Sequence, residues 1–210
     1  MHKLKESPLF VTFEGIDGCG KTTQAMMTYH LLSSRGYKVK LLREPGSTAV
    51  SEKIREILLD RKLSMTDITE LLLYEAARAE IVGREIAPLL KKGYVVLCDR
   101  FYDSTTAYQA YGRRLDVKMV KATNKIAVGR LVPTLTFLFD IDLKTAAARA
   151  GMHKDRLELQ SKTFFNRVRL GFLEIARKER RRIKVVDASR PIETIFADVK
   201  RILARKIDLK

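Results

Sequence analysis

The stretch Gly15-Ile16-Asp17-Gly18-Cys19-Gly20-Lys21-Thr22 fills every fixed position of the phosphate-binding pattern GxxxxGK[ST]. Glycines let the backbone curl until successive N–H groups face one point, and a helix opening at the lysine directs its positive dipole end there. An anion is the occupant that such a loop suits. Lys21 would reach the β- and γ-phosphates of a nucleotide, and Thr22 would offer its hydroxyl to Mg2+. The alternative is a glycine-rich turn that binds nothing, and the flanking sequence argues against it. Leu9-Phe10-Val11-Thr12-Phe13 is a run of β-formers, and Thr23 to Ser34 has no Gly or Pro and reads as a helix. Cys19 reads as a small tolerated residue within the loop.

Further chemistry gathers at later points. Tyr94-Val95-Val96-Leu97-Cys98-Asp99-Arg100 has the pattern of a buried parallel strand ending in the magnesium-side carboxylate, Asp99. Arg100 follows at the carboxyl end, where ligands of open α/β sheets gather. Arg43-Glu44-Pro45-Gly46 ends another strand in a rigid loop that either binds a ligand or forms an ordinary surface turn. Tyr74 and Arg78 are four apart on a helical pattern and share a face. A ring that stacks and a fork that donates make a nucleobase reader, the alternative being a core Tyr beside a surface Arg. Ser104, Thr105, Thr106, Tyr108, Gln109 and Tyr111 crowd the stretch from Phe101 to Gly112, which suits a pocket better than a core. Around Gly151, between one helix and the next, the basic residues Arg149, His153, Lys154 and Arg156 predict a mobile flap. His153 has no second ligand at metal spacing and is expected in solvent.

These residues need elements to hold them. The sequence predicts strands at 9–13, 37–43, 94–99, 134–140 and 183–187. Between them it predicts helices from Ser51, with Arg55 facing away from Leu58, and over 71–90, 117–128, 159–178 and 191–207. Asp67 and Glu70 have the spacing of a capping box. Strands alternating with helices give a five-stranded parallel sheet covered on both faces, with right-handed crossovers. The 210 residues, 46% of them hydrophobic, suit one α/β domain over 1–210 with a flap at about 149–158. No apolar run is long enough for a membrane span, the polar start lacks a signal-peptide core, and two cysteines make no disulfide framework. A cytosolic protein is expected. The net charge of +16 raises nucleic acid as a partner, but the charge is spread, and its densest patch, 177–184, has no interleaved aromatics. That patch is read as a solvated helix end, and no nucleic-acid partner is expected. Asn124-Lys125-Ile126-Ala127 lacks the Asp of a guanine-reading segment, which argues against a GTP switch.

With these pieces placed, the chain resembles the thymidylate kinase family, phosphate-loop enzymes that convert dTMP to dTDP with ATP. The resemblance runs from about Phe10 to the last helix. It rests on 13–23, Arg43-Glu44-Pro45-Gly46, Asp99-Arg100-Phe101 with Ser104, Ala107-Tyr108-Gln109, and Asp155-Arg156-Leu157-Glu158, in that order. It implies a three-layer α/β/α phosphate-loop kinase fold with a small basic flap, ATP and dTMP as substrates, Mg2+ as cofactor, and a homodimer. It implies an ATP site at Gly15, Ile16, Asp17, Gly18, Cys19, Gly20, Lys21, Thr22 and Thr23. For dTMP it implies Tyr74 stacking on the base, Arg78 on its O4, Arg55 and Arg100 on the phosphate, and Asp17 near the sugar and the reacting centre. Glu44, Ser104, Thr105, Tyr108 and Gln109 complete that pocket, and Thr22 with Asp99 would hold Mg2+, directly or through water. The phosphate loop has no basic residue at its variable positions. This resembles the bacterial-type subgroup, in which flap arginines supply the missing charge, so Arg149 and Arg156 join Lys21, Arg100 and Asp17 as catalytic candidates. A kinase for another small acceptor and a nucleic-acid-dependent ATPase are the rival readings.

Overall fold

Five strands, β1 (Phe10–Glu14), β2 (Val39–Arg43), β3 (Val95–Asp99), β4 (Leu135–Asp140) and β5 (Ile183–Asp187), form one sheet in the order β2-β3-β1-β4-β5. Every pairing is parallel. The structure, a computed structural model, describes residues 9–149 and 156–209. All five side chains of β1 are buried, as a central parallel strand requires, and its run of Phe and Val is what such a strand needs. Alternation along the strands feeds two cores. Val11, Phe13, Val95 and Leu97 pack with residues of helices α1 (Lys21–Ser34), α8 (Lys162–Lys178) and α9 (Ile192–Leu203). Phe10, Val96 and Cys98 pack instead with residues from the end of α3 (Asp67–Ile81) and from α4 (Ala87–Lys91) and α6 (Val117–Val128). Because the sheet is parallel, the carboxyl ends of β1, β2 and β3 bring Glu14, Arg43 and Asp99 to one rim, and the phosphate loop leaves the central strand there.

The helices depart from the sequence expectation in instructive ways. The long pattern at 71–90 is one helical run interrupted by a π turn at Val82–Ile86, where Gly83 weakens the regular ladder. The cap of α3 is Thr66, whose hydroxyl accepts from Thr69 N–H at 3.2 Å, so Asp67 is the first helical residue and Glu70 is no capping partner. Helix α2 (Ala49–Leu59) turns Arg55 toward Pro45, whose carbonyl accepts from it at 3.0 Å. Three residues apart on a helix is a rotation of about 60°, so Arg55 and the buried Leu58 lie on neighbouring faces, not opposite ones. The polar stretch after Phe101 is a short helix, α5 (Tyr102–Thr105), running into a second π turn at Thr106–Gly112. Helix α7 (Leu143–Arg149) is the helix expected, without bounds, before the flap; Asp142 accepts from Thr145 N–H at 2.9 Å to start it. Arg149 therefore ends a helix. Residues 150–155 of the expected flap, with Gly151, His153 and Lys154, lie outside the described residues.

The basic patch at 177–184 is also corrected. Arg177 and Lys178 pair with Glu174 in solvent, but Arg182 is 8% exposed and its guanidinium is held by Asp103 at 2.7 and 2.9 Å. It ties the start of β5 to α5 and is no part of a solvated helix end.

Candidate functional site

The phosphate loop takes the backbone shape its glycines allow. Gly15, Gly18 and Gly20 have φ of 143°, 80° and 85°. At Gly18 a Cβ would lie 2.2 Å from the carbonyl oxygen of Ala146 on α7, so the loop and that helix touch backbone to backbone. Helix α1 opens at Lys21 and carries its first N–H groups toward the loop. A cleft of about 600 Å³ is lined by Gly18, Cys19, Gly20, Lys21, Thr22 and Thr23 together with Arg149, Arg190 and 191–193. Ile16 turns away into the core, and Cys19 is buried, with burial pushing its thiol pKa up. An unreactive Cys19 follows.

Beside Lys21, the Thr22 hydroxyl donates to Asp99 Oδ2 at 2.5 Å, while Asp99 Oδ1 is buried without a hydrogen-bond partner among the described residues. A hydroxyl next to a carboxylate with an unsatisfied oxygen is a donor set that fits a hard, oxygen-liganded cation such as Mg2+.

A second cavity, of about 160 Å³, adjoins the first. Asp17, Glu44, Arg55, Tyr74, Arg78, Arg100, Ser104, Thr105, Tyr108 and Gln109 all line it. They come from the phosphate loop, the loop after β2, α2, α3, the end of β3 and the α5–π segment. The two cavities meet where Lys21 Nζ donates to Asp17 Oδ1 at 3.3 Å. The wide turn of the π segment helps Ser104, Thr105, Tyr108 and Gln109 present side chains to one space, while Thr106 faces the other way and accepts from Asn124 at 3.0 Å. Close packing holds that segment down: a Cβ on Gly171 of α8 would fall 2.6 Å from the Tyr111 ring.

Charge is arranged around two guanidiniums. Arg100 sits in a left-handed backbone conformation (φ 70°), which turns its side chain back across β1. It donates to Gly15 O at 2.9 Å and Ser104 Oγ at 3.1 Å, forms a short ion pair with Asp17, and lies over the Tyr108 ring. Burial alone would raise the Asp17 carboxyl, but the charges of Arg100 and Lys21 outweigh it and hold the group well below the usual carboxylate range. Arg78, 2% exposed, is clamped by Glu44 at 2.7 Å and Glu75 at 2.8 Å, and also donates to Thr105 at 2.8 Å and Asn124 at 3.1 Å. It is no surface arginine. Burial pushes the Glu44 carboxyl up to about 7 against the pull of Arg78. Glu14, fully buried behind Arg100, accepts from Phe101 N–H at 2.8 Å and Ser104 Oγ at 2.5 Å. Burial and then the nearby Asp103 raise it to about 8.

The two flap arginines part company. Arg149 lines the phosphate-loop cleft and donates to the carbonyls of Ala188 at 2.7 Å and Ser189 at 3.1 Å. Arg156 lines neither cavity; its Nε donates to Leu58 O at 2.9 Å and its Nη2 stands 2.5 Å from Glu70 Oε2. Residues the sequence reading missed also line these spaces. Leu157 and Glu158 line the second cavity and Arg190 the first. Arg190 was legible as a cation just past the carboxyl end of β5, and Leu157 and Glu158 belong to the segment 155–158 that carries the family resemblance, without a site role read for them there.

Comparison with known proteins places these features in a family. The thymidylate kinase family model matches residues 13–199. A thymidylate kinase of Symbiobacterium thermophilum is 44% identical over 197 residues, covering 93% of this chain and 92% of that one. One from Geotalea daltonii is 46% identical over 194 residues, covering 88% and 91%. The crystal structure of thymidylate kinase from Ehrlichia chaffeensis superposes with a TM-score of 0.78 at 35% identity, covering 94% of this chain and 99% of that one. The chain is a phosphotransferase and belongs to the thymidylate kinase family.

Proposed function

We propose that the protein transfers the γ-phosphoryl group of ATP to the phosphate of dTMP, yielding ADP and dTDP. The observation that carries this reading is the pair of adjoining cavities: one built on the phosphate loop, the other lined by ten residues at the positions of an acceptor pocket. ATP would lie along 15–23. Lys21 and Arg149 face its phosphates. The acceptor would enter between Tyr74, which stacks on the base, and Arg100 and Arg55, which receive its phosphate. Asp17 stands between the two cavities, bonded to both Lys21 and Arg100, and so positions two cations at the point of transfer. Thr22 and Asp99 would hold Mg2+, directly or through water, and the bound ion would offset phosphate charge. The acceptor phosphate is already an anion at neutral pH, so no general base is assigned. Catalysis on this reading is positioning plus charge neutralisation.

The chain acts as one domain and as a homodimer; Val50 and Ile57 of α2 and Ile68 and Leu72 of α3 are exposed apolar side chains that support a dimer face. It is assigned to the cytosol, and no helix among the described residues is long and apolar enough to cross a membrane. Arg177, Lys178 and Arg182 are ion-paired within the chain, which supports assigning no nucleic-acid partner. The deciding experiment is ADP release with ATP and Mg2+ across an acceptor screen of dTMP, thymidine, dCMP and DNA. Strong turnover with dTMP and little with the rest is expected. Equal use of thymidine and dTMP, or stimulation by DNA alone, refutes the reading.

A further inference from the structure

Glu70 has no part in the chemistry described so far, yet its carboxylate is bonded directly to Gln109, which lines the acceptor cavity. It is 1% exposed. Its Oε1 accepts from Gln109 Nε2 and Arg113 Nε, each at 3.0 Å; its Oε2 accepts from Arg113 Nη2 at 3.0 Å and stands 2.5 Å from Arg156 Nη2. Burial would raise this carboxyl, but the hydrogen bonds from Arg113 and Gln109 and the charges of both arginines hold it below its ordinary value. It is an anion, and an anion only accepts.

That has a consequence for Gln109. With a carboxylate as neighbour, only its amide nitrogen can face Glu70, so the amide oxygen is turned the other way. Gln109 lines the acceptor cavity, and its Oε1 accepts no hydrogen bond among the described residues. Position explains why one carboxylate can do this: Glu70, Tyr74 and Arg78 are spaced by four on α3 and stand on one face.

We propose that Glu70 is a positioning residue for acceptor selection: it holds the Gln109 carboxamide with its oxygen toward the cavity, as a fixed acceptor for the N3–H of a thymine or uracil ring, and anchors Arg156 through the same carboxylate. A cytosine ring presents an N3 lone pair at that point and meets an acceptor with an acceptor. Glu70 thereby also ties the described end of the flap to the residue that reads the base. The inference rests on the acceptor-cavity reading above.

The test measures kcat/KM for dTMP, dUMP and dCMP, and KM for ATP, on the wild type, Glu70→Gln and Gln109→Leu. In Glu70→Gln the neighbouring amide can both donate and accept, so Gln109 loses its fixed sense. Both variants should narrow the dTMP to dCMP ratio by about tenfold or more, the cost of one mismatched buried hydrogen bond, and leave KM for ATP within about twofold. The dUMP to dTMP ratio should stay put, because N3–H is common to both. A purely structural Glu70 would lower the melting temperature and total activity while leaving the dTMP to dCMP ratio unchanged. That result in a folded Glu70→Gln protein overturns the proposal. If Glu70→Gln does not fold, Gln109→Leu decides, since it leaves both arginines on Glu70; an unchanged ratio there overturns the proposal as well. Wild-type protein inactive on dTMP would instead refute the proposed function itself, a distinct outcome.

Discussion

Removing Arg78 should cost the protein much of its stability as well as its choice of substrate. The guanidinium is 2% exposed and faces Glu44 and Glu75, whose side chains are 3% and 8% exposed. At a separation of about 4 Å and an effective dielectric of about 20, each pair attracts by about 4 kcal/mol, most of it cancelled by the cost of burying the ions. Deleting one partner leaves that burial cost standing. Arg78→Ala should therefore cost about 3–5 kcal/mol, to which the orphaned acceptors of Thr105 and Asn124 add a fraction. For a chain of this length that lowers Tm by roughly 6–20 °C. Urea titration and thermal melts followed by circular dichroism read it directly. The combined variant Arg78→Met, Glu44→Gln, Glu75→Gln removes the stranded charges and should recover most of the loss. A loss below about 1 kcal/mol in Arg78→Ala, the size of an exposed pair, would refute the reasoning. The dTMP to dCMP ratio of this variant then has to be taken well below its Tm; it should narrow, because cytosine offers an amino donor where thymine offers O4.

The remaining predictions concern transfer, pH and packing. Lys21→Ala should keep the fold and lower kcat by about 10²–10³, as loss of a transition-state cation does; near-wild-type turnover would sink the phosphate-loop assignment. Arg149→Ala should bind ATP passably yet transfer slowly, which single-turnover kinetics separates from binding, and full turnover would remove Arg149 from the machinery. For Glu14, a folded pKa raised from 4.5 to about 8 means that the native state binds more protons than the unfolded chain between those values. Its contribution to stability is thus intact at acid pH and is lost as pH rises through about 8, by at most about 1.4 kcal/mol per unit. Glu14→Gln should flatten that slope in denaturation measured from about pH 6 to about pH 8.5, and an unchanged slope would show Glu14 ionised throughout. Gly171→Ala should cost about 1–3 kcal/mol in the same melts, since its Cβ has no room beside Tyr111.

Much of the site could be read from sequence because its residues sit where strands end. Val95 to Asp99 forms the strand that its apolar run predicts, and Asp99 and Arg100 emerge at the expected rim. Of the ten named acceptor-cavity residues, Arg55, Tyr74 and Arg78 lie on helices legible from periodicity, and Asp17, Glu44 and Arg100 on loops just past strand ends. What escaped was tertiary. Glu70 reads as a capping residue because its partners, Gln109, Arg113 and Arg156, are 39 or more positions away. Arg182 reads as one of a run of surface cations because Asp103 lies 79 residues back in the chain. Arg55 lies on the face next to buried Leu58, because positions three apart on a helix are offset by about 60° and are not opposed. The π turns at 82–86 and 106–112 have no local sequence signature beyond Gly83, and α7 is a short alanine-rich helix whose bounds the basic residues after it obscure.

The contact between Gly18 and Ala146 decides who may carry charge in this enzyme. With 2.2 Å between a Cβ there and the Ala146 carbonyl, and φ at 80°, position 18 has no room for a side chain of any kind while α7 stays in place. A cation built into the loop at this position is therefore closed to the fold, and on the proposed function the charge comes from neighbours such as Arg149, at the carboxyl end of the very helix that crowds the glycine out. Lengthening the loop's own reach would require evicting α7, and with it that arginine. The exclusion is a matter of occupied volume: two polypeptide backbones compete for one space, and on the proposed function the one that holds it supplies the charge.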